Sequence, residues 1–368
     1  MAGITFFGSS IVSAYWNGAA TYYRGLLRAL AEQGHRITFC EPDAFDRQKH
    51  RDLSEDPDYA RVVVYGTGAE RENLLDRAFD EADWVVKCSG VGRWDDELER
   101  GLIARAGQGT RTAFWDVDAP ATLARLRETP TAPLRQGLDL LDHVFTYGGG
   151  PPVVEEYRRL GARACTPVYN GLDPEEHRPP DRSGRLRWDL LFMGNRLPDR
   201  EARVEEFFFL PARLRPELRF ALGGEGWGDR ELPPNVEYLG HVPTARHNEV
   251  NAAARVVLNI HRESMVRNGW SPATRMFEAA GAAACQVTDE WRGIEDFFEP
   301  GTEILVAADG QAVARRLDEL DTEQARAIGR AARERALAEH TYDRRAAELD
   351  AVLGPRGARR KRKLEVQS

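Results

Sequence analysis

The chain has 368 residues, a length that predicts two domains. Of these residues, 42% are apolar and 30% charged, which is typical of a globular protein. Its 51 basic and 59 acidic residues give a net charge of -8, which argues against a protein that wraps nucleic acid over its whole surface. Only four of the 51 basic residues are lysines, which leaves 47 arginines, so a lysine-dependent mechanism has almost no candidate positions.

The sequence has no feature of export, membrane insertion or metal binding. No stretch reaches the ~18 consecutive apolar residues that cross a bilayer, and residues 1–7 lead into a predicted strand without a signal peptide. The four cysteines form no CxxC pair, and no Cys/His cluster has zinc spacing. We therefore expect a cytoplasmic protein with no integral membrane segment, reduced cysteines and no metal site.

Short apolar runs alternate with helical patterns in the first half of the chain. Strands are predicted at residues 4–7, 36–40, 61–65, 84–88, 112–115, 144–147 and 165–169, and a helix at residues 20–33. Gly, Pro, Asn and Asp then cluster between residues 170 and 184, as in a linker.

The same alternation restarts after the linker. Strands are predicted at residues 190–193, 218–222, 236–239, 256–260, 285–288 and 304–306. Helices are predicted at residues 200–214, 244–254, 272–283, 311–320, 322–340 and 342–353. Repeated strand–helix–strand units predict an α/β protein with two Rossmann-like, doubly wound domains at residues 1–172 and 173–340, facing each other across a cleft that holds the site.

The last thirteen residues, 356–368, differ from the rest of the chain. They contain six basic residues and one acid, so the chain before them has a net charge of -13. The tail is either a disordered end or a polybasic contact with an anionic surface, such as anionic lipid or nucleic acid.

The first candidate binding motif is the run from Met193 to Arg200. A buried strand ends at Gly194, which allows a phosphate to approach the backbone, and Arg196 and Arg200 supply forked, charged donors. If both arginines lie in one helix, their spacing of four places them on one face. The alternative is a surface turn with solvated arginines.

The second candidate motif lies around Ser271. This serine is a good N-cap, so the helix after it offers free N–H groups to a diphosphate. Arg275 and Glu278 share one face of this helix, and the carboxylate can accept both hydroxyl groups of a ribose. The alternative is a surface Arg–Glu pair on an alanine-rich helix.

Polar residues also follow several of the predicted strands. Asp116 and Asp118 come after a strand and could orient a sugar or act as a base, unless they only form a turn before Pro120. His241 and His261 follow two strands of the second domain. The loop at residues 8–18 lacks the GxGxxG dinucleotide motif, so the sequence gives little support to an NAD-binding protein.

These motifs together resemble the retaining GT-B glycosyltransferases, in particular the bacterial CgeB-like (spore maturation protein) branch. The likeness covers most of residues 4–353 and is most specific in the second domain. It rests on residues 170–173 with 177–179, which resemble the family's interdomain segment, and on residues 193–200, which resemble its donor-diphosphate loop. Residues 222–226 and 239–242 resemble its GxG loop and its base-contacting loop, residues 275–281 its ribose-binding helix, and residues 293–305 the segment after that helix.

The resemblance implies a metal-independent glycosyltransferase without a cofactor, using a nucleotide-diphospho-sugar as co-substrate. Residues 1–172 would bind the acceptor and residues 173–340 the donor, and a helix at residues 341–355 would cross back to the first domain. Retention of anomeric configuration also follows from the resemblance alone. The acceptor stays open: a saccharide, lipid, natural product, protein or modified DNA.

The site residues expected from the motifs and the resemblance fall into three groups. The catalytic candidates are Asp116, Asp118 and Glu263. The donor-binding candidates are Gly194, Asn195, Arg196, Arg200, Gly224, His241, Val242, His261, Ser271, Arg275 and Glu278. The candidates on the acceptor side are Gly8, Ser9, Ser10, Asn17, Gly18, Tyr147 and Asn170.

Two positions depart from the family pattern. The second domain has no lysine, so Arg200 is expected to replace the lysine that binds the donor phosphates. Trp270 stands where the family has a second glutamate, eight positions before Glu278, and Glu263 is the nearest upstream acid. Two alternative functions therefore stay open: a nucleotide-sugar epimerase or hydrolase on the same fold, and a non-catalytic nucleotide-sugar-binding protein.

Overall fold

Two separate parallel sheets form the framework of the computed structural model, which describes residues 1–15, 17–181 and 185–354. The first sheet contains β1 (Gly3–Phe7), β2 (Arg36–Pro42), β3 (Ala60–Tyr65), β4 (Trp84–Cys88), β5 (Arg111–Asp116), β6 (His143–Thr146) and β7 (Cys165–Pro167). Its strand order is β3-β2-β1-β4-β5-β6-β7. Because helices cover both faces, β1 and β4 are buried along their whole length, which explains their apolar sequences.

The second sheet contains β8 (Trp188–Met193), β9 (Phe220–Gly223), β10 (Val236–Gly240), β11 (Ala254–Asn259), β12 (Gln286–Asp289) and β13 (Leu305–Ala307). Its order is β10-β9-β8-β11-β12-β13. In both sheets the order reverses beside the first strand of the domain. The carboxyl ends of β1 and β8 therefore lie at topological switch points, where open α/β sheets bind ligands.

Fourteen α-helices connect and flank these strands within the described residues. The first domain has α1 (Ala20–Glu32), α2 (Gly68–Glu81), α3 (Asp95–Ala104), α4 (Ala119–Glu128), α5 (Pro133–Gly137) and α6 (Gly150–Arg159). The rest of the chain has α7 (Pro198–Val204), α8 (Leu210–Leu214), α9 (His247–Ala252), α10 (Glu263–Asn268), α11 (Thr274–Gly281), α12 (Gly310–Glu319), α13 (Thr322–Glu339) and α14 (Tyr342–Leu353). In the part of the chain that the structure describes, no helix is both long and apolar enough to cross a membrane.

The predicted architecture of two Rossmann-like domains is confirmed, and every predicted strand is present within two residues of its expected ends. Three helix predictions need correction. The helix predicted at residues 200–214 is α7 and α8 joined by a π-helical turn at Glu205–Phe209. The helix predicted at residues 244–254 is a 3-10 turn at Thr244–Arg246 followed by α9, and the helix predicted from residue 272 begins at Thr274. The helix α10 was not predicted.

The last described helix, α14, packs against α1 of the first domain. The backbone N–H of Tyr342 donates to the Leu172 carbonyl, and Leu172 in turn donates to the His340 carbonyl. The ring of Tyr342 lies directly over Gly25 of α1, where a methyl group would come within 2.2 Å of Cδ2. The tail at 356–368 and the end of the predicted linker at 182–184 lie outside the described residues.

Candidate active site

A cavity of about 480 Å³ lies between the two domains at the carboxyl ends of the second sheet. Gly18, Tyr147 and Gly148 form its first-domain wall, and Asn170 lies at the junction. The second domain contributes most of the lining: Met193, Gly194, Asn195, Leu197, Arg200, Gly224, His241, Val242, Thr244, His247, Ile260, His261, Arg262, Met265, Ser271, Pro272, Ala273, Thr274, Arg275 and Glu278. Ten of the eleven predicted donor-binding residues are in this list.

The turn after β8 brings two arginines together at Gly194. A methyl group on Gly194 would lie 3.0 Å from Nη2 of Arg200 and 3.2 Å from Nη1 of Arg275. The backbone of Gly224 packs directly against this turn, because a methyl group on Gly224 would lie 2.4 Å from the Gly194 carbonyl oxygen. The missing side chain of Gly194 thus leaves room for two guanidinium groups at one turn of the backbone.

These two arginines lack a carboxylate partner within ion-pair distance among the described residues. Arg200 is 7% exposed and donates to the Asn195 carbonyl at 2.5 Å, while Arg275 Nη1 is buried without a hydrogen-bond partner. Burial, followed by the charge of Arg275, lowers the pKa of Arg200 to about 9, and burial also lowers the pKa of Arg275. Glu278, Asp289 and Asp199 act on the pair only from beyond ion-pair distance, and they do not offset burial. Two close, buried cations are electrostatically costly, and an anion between them reduces that cost.

Arg196 does not join this pair, and its predicted place in the clamp is not supported. Its guanidinium binds Glu201 at 2.6 Å and Asp229 at 3.1 Å, and it does not line the cavity. Arg196 lies before α7, which begins at Pro198, so the helical spacing assumed for Arg196 and Arg200 does not apply. The second cation of the site is Arg275 instead.

Glu278 faces the cavity from α11, one helical turn after Arg275. Its carboxylate lies 3.4 Å from Nδ1 of His247 and 3.8 Å from Nε2 of His177. Burial alone would raise the pKa of Glu278, but the hydrogen bond from His247 and the charges of both histidines and Arg275 outweigh burial and lower it. Burial alone would lower the pKa of His247, but Glu278 and the Val242 carbonyl raise it. Glu278 is therefore held as a carboxylate beside the arginines.

His261 is buried in the cavity wall and is fixed by Asp289. Its Nδ1 lies 2.8 Å from the Asp289 carboxylate, which also accepts a hydrogen bond from Arg203 at 2.6 Å. His261 Nε2 is buried and has no hydrogen-bond partner, and the residue lines the cavity. Glu263 does not line the cavity; it pairs with Arg203 at 3.0 Å and its side chain is 55% exposed. The prediction that Glu263 is catalytic is not supported, because α10 carries this residue away from the cavity.

Trp270 occupies the domain junction. Its carbonyl accepts a hydrogen bond from the Gly149 N–H at 2.8 Å, and its indole N–H donates to Asp296 at 2.7 Å. Ser271 lines the cavity but is not the N-cap of α11, since Ala273 holds that position and the Ser271 hydroxyl donates to the Gly269 carbonyl. Ser271 is thus part of the chain that joins the domain contact at Trp270 to the start of α11.

The two aspartates after β5 have different environments. Asp116 is fully buried and accepts hydrogen bonds from Tyr157 at 2.6 Å and Thr122 at 2.8 Å. Burial raises its pKa, and these hydrogen bonds only partly oppose that effect. Asp116 therefore holds the first domain together and cannot contact a sugar in the cleft. Asp118 reaches the cleft and binds Arg262 of the second domain at 3.1 Å.

A second cavity of about 310 Å³ lies in the first domain and shares four lining residues with the larger one: Gly18, Tyr147, Asn170 and Arg262. Ser9 and Asn17 line this second cavity, as expected of acceptor-side residues. Gly8 and Ser10 do not line either cavity. Gly8 packs under Phe39, and the buried Ser10 hydroxyl donates to Glu41.

Among the polar residues of the two cavities that sequence reasoning missed are one histidine and two arginines. His247, Arg262 and Arg47 line one or both cavities but were not singled out as site residues. Arg262 follows β11 next to His261, so its place at a strand end was an available signal. His247 and Arg47 lie on a helix and in a loop, and no motif marked them. Within the described ranges, no group of three or more His, Cys, Asp and Glu side chains could hold a metal ion.

Comparison with known proteins identifies the fold and the class of the second domain. Residues 200–351 match the Glyco_trans_1_2 family model, whose description is glycosyl transferase-like. No curated protein sequence matches the chain. The match includes Arg200, Arg275 and Glu278 but not Arg196. The finer resemblance to the CgeB-like branch stays a prediction.

Several solved structures share the whole two-domain arrangement. Sucrose-phosphate synthase from Thermosynechococcus elongatus has a TM-score of 0.67 at 14% identity, covering 96% of this chain and 98% of that chain. HepE from Anabaena, solved with UDP and glucose, has a TM-score of 0.66 at 13% identity, covering 96% and 99%. An alpha-glucosyltransferase solved with UDP and a 13-mer DNA has a TM-score of 0.67 at 12% identity, covering 96% and 99%. At such identities the likeness shows the fold, which is GT-B.

Proposed function

We propose that this chain, a glycosyltransferase with the GT-B fold, transfers a sugar from a nucleoside-diphosphate donor in the second domain to an acceptor in the first. The observation that carries the proposal is the pair of guanidinium groups at Gly194, which have no carboxylate partner among the described residues. A diphosphate supplies the missing counter-charge and can accept forked hydrogen bonds from both arginines. A solvated surface pair would not combine a buried Arg200 with a buried Nη1 of Arg275 in the lining of an interdomain cavity.

In the proposed orientation, the diphosphate, ribose and base of the donor each contact a different part of the cavity. Its diphosphate lies at Gly194, between Arg200 and Arg275 and near the start of α11, whose N-cap residue has no side-chain cap. Its ribose lies one helical turn further along α11, where Glu278 accepts the two hydroxyl groups. Its base lies against the loop at His241 and Val242, which lines the same cavity.

UDP-glucose is the proposed donor. HepE was solved with UDP and glucose, and the alpha-glucosyltransferase was solved with UDP, so related folds hold this nucleotide and this sugar. The proposed product linkage is alpha. Because UDP-glucose itself carries an alpha linkage, the transfer retains the anomeric configuration.

The chemical step is a displacement at the anomeric carbon. The acceptor oxygen forms a bond to that carbon, the bond to the diphosphate oxygen breaks, and the acceptor proton passes to the departing diphosphate. Arg200 and Arg275 stabilise the charge that grows on the leaving group, an electrostatic role for which no metal ion is needed. His261 Nε2 is the nitrogen best placed to hold a hydroxyl group of the donor sugar, since Asp289 fixes the ring.

Binding and turnover measurements on the full chain test this proposal. Calorimetry should give an affinity for UDP at least ~10-fold above that for UMP, because the second phosphate meets the two arginines. Equal affinity for UDP, UMP and uridine would contradict the proposed diphosphate site. Incubation with UDP-glucose then separates the alternatives: acceptor-dependent release of UDP supports transfer, whereas an epimerised or free sugar without acceptor supports the epimerase or hydrolase. Binding without turnover across an acceptor panel supports the non-catalytic alternative.

A further inference from the structure

The cavity of the first domain has an electrostatic character of its own. It shares Gly18, Tyr147, Asn170 and Arg262 with the larger cavity, so a molecule in it would lie next to the proposed donor. Its wall includes Arg47, from the loop after β2, and the residues that begin α1. The charges around these two features indicate what kind of group the cavity accepts.

Arg47 is a buried cation without a carboxylate partner among the described residues. Its side chain is 5% exposed, and its Nη1 donates to the carbonyls of Ser9 at 3.2 Å and Val91 at 3.3 Å. Its Nε is buried and has no hydrogen-bond partner. The two carbonyls engage Nη1 only. The other edge of the guanidinium, formed by Nε and Nη2, has the geometry that binds a carboxylate or phosphate with two parallel hydrogen bonds.

The nearby acids are already engaged by other groups. Glu41 accepts hydrogen bonds from Ser10, the Ile11 backbone and Gln48. Asp95 binds Lys87 at 2.6 Å. Asp118, which lines the same cavity, pairs with Arg262. Arg47 therefore has no direct ion-pair partner, although the charges of Glu41 and Asp95 act on it from a distance, and burial lowers its pKa in spite of them. A buried cation without a direct partner is costly, and an anionic ligand reduces that cost.

A second feature favours an anion at the same place. Helix α1 is 13 residues long and begins at the cavity, where Gly18, Ala19 and Tyr22 form part of the wall. Its N-cap residue, Ala19, makes no side-chain capping hydrogen bond, and its first turn has no acidic residue. The Ala20 N–H donates to the Asn17 carbonyl, but neither a side-chain cap nor an acidic side chain of the first turn screens the positive end of the helix dipole.

The loop that carries Arg47 is held in an unusual conformation. Phe45 and Asp46 both have a positive φ, 58° and 56°, in the left-handed region that residues other than glycine seldom adopt. Phe45 packs against Gly92 and lies under the Arg47 guanidinium, 5.0 Å from its ring centroid to Cζ. This strain places the guanidinium in the cavity wall, and such strain is common at binding sites.

We propose that the acceptor of this enzyme carries an anionic group, a phosphate or a carboxylate, which binds between Arg47 and the start of α1. The inference rests on the proposed transfer reaction, since it assigns the first-domain cavity to the acceptor. A neutral saccharide would leave Arg47 without a counter-ion, and an acceptor with an acidic group gains the forked hydrogen bonds and the helix dipole together.

Binding to the UDP-saturated full chain tests this proposal with four probes: glucose, glucose 6-phosphate, glucuronate and inorganic phosphate. At least one anionic probe should bind at least ~10-fold more tightly than glucose, as expected for charge-assisted hydrogen bonds. The phosphate and carboxylate probes then distinguish the two sources of charge. Arg47→Gln should abolish the preference, Arg47→Lys should keep part of it, and Arg93→Gln, an exposed arginine of the same domain, should keep all of it.

The measurement also separates this inference from the proposed function. UDP affinity and thermal unfolding of Arg47→Gln report whether the variant is folded with an intact donor site. If UDP does not bind the wild type, the donor assignment fails first. If UDP binds but no anionic probe binds more tightly than glucose, or the preference survives in Arg47→Gln, the acceptor inference is overturned and the donor assignment stands.

Discussion

Arg200 and Arg275 come from different segments of the chain and meet at one glycine. Both guanidinium groups also lie over the same aromatic ring, with their Cζ atoms 5.6 Å and 5.5 Å from the centroid of Phe192. The negative face of this ring supports two cations that would otherwise only repel each other. The second domain has no lysine before the tail, and its third arginine in the cleft, Arg262, is paired with Asp118 and Asp199, so Arg200 and Arg275 are the cations without a carboxylate in direct contact.

Glu278→Gln should separate recognition of the ribose from recognition of the diphosphate. We expect UDP to bind at least ~10-fold more weakly, because each lost hydrogen bond to a charged group costs about 1.5–3 kcal/mol. Pyrophosphate, which has no ribose, should bind no more weakly than to wild type, since the substitution removes a negative charge near the arginines. Calorimetry with both ligands measures this, and Glu263→Gln is the matched control. A parallel loss of UDP and pyrophosphate affinity would contradict the ribose role.

The His247–Glu278 pair should make stability depend on pH in a defined window. The pKa of His247 is raised from 6.5, so its contribution is fully present below pH 6.5 and is lost as the pH rises through its folded-state pKa. The pKa of Glu278 is lowered from 4.5, so its contribution is present above pH 4.5 and is lost as the pH falls through its folded-state pKa. His247→Gln should therefore cost the most free energy of unfolding between these limits.

Denaturant unfolding of the wild type and His247→Gln measures this cost. The difference should be larger at about pH 5.5 than at about pH 8.5, because the raised pKa of His247 keeps the pair ionised at the lower value. His143→Gln is the control, because burial lowers the pKa of His143 to about 4 and the residue is neutral across this range. A cost for His247→Gln that is the same at both pH values would show that the pair is not ionised as described.

Asp118 should control how tightly the two domains close. Arg262 binds Asp118 of the first domain at 3.1 Å and Asp199 of the second at 2.6 Å, so only the first of these contacts crosses the cleft. Asp118→Asn should increase the radius of gyration measured by small-angle X-ray scattering, while Asp199→Asn should not. Because such partly exposed pairs are worth about 0–1 kcal/mol, the free energy of unfolding should change little. Identical scattering from both variants would contradict the role of the Asp118–Arg262 ion pair in holding the domains together.

The contact between α1 and α14 should be sensitive to a single methyl group. Gly25→Ala would place Cβ 2.2 Å from the ring of Tyr342, and overpacking of this kind typically costs 1–3 kcal/mol. Gly68→Ala is the control, since no atom lies within 4 Å of the added methyl group. Denaturant unfolding should show a loss for Gly25→Ala alone. Equal stability of the two variants would mean that α14 does not depend on this contact.

The two-domain fold could be predicted from the sequence because its signals are local. Buried parallel strands such as β4 read as short apolar runs, and the linker is marked by glycine, proline, asparagine and aspartate. The repeated strand–helix–strand units then indicate parallel sheets, whereas the strand order at the switch points comes from the structure. These patterns need no knowledge of which residues touch across the sheet.

The composition of the anion site could be predicted only in part. Arg275 and Glu278 share a helix, so their common face was visible in the sequence. Arg196 was placed wrongly, because the start of α7 at Pro198 decides whether it lies on a helix at all, and helix boundaries are the weakest part of such predictions. Asp116 has the same strand-end position as a catalytic acid, and only tertiary contacts with Tyr157 and Thr122 reveal a structural role.

Calorimetric titration of UDP into four proteins tests the central claim most directly: wild type, Arg200→Ala, Arg275→Ala and Arg196→Ala. Loss of Arg200 or Arg275 should weaken binding by about 1.5–3 kcal/mol each, roughly 10- to 150-fold, because each donates charge-assisted hydrogen bonds to the diphosphate. Arg196→Ala should bind UDP within about 2-fold of wild type, since Arg196 is engaged by Glu201 and Asp229. Unchanged affinity in the first two variants, or a loss confined to Arg196→Ala, would contradict the assignment of the diphosphate to this arginine pair.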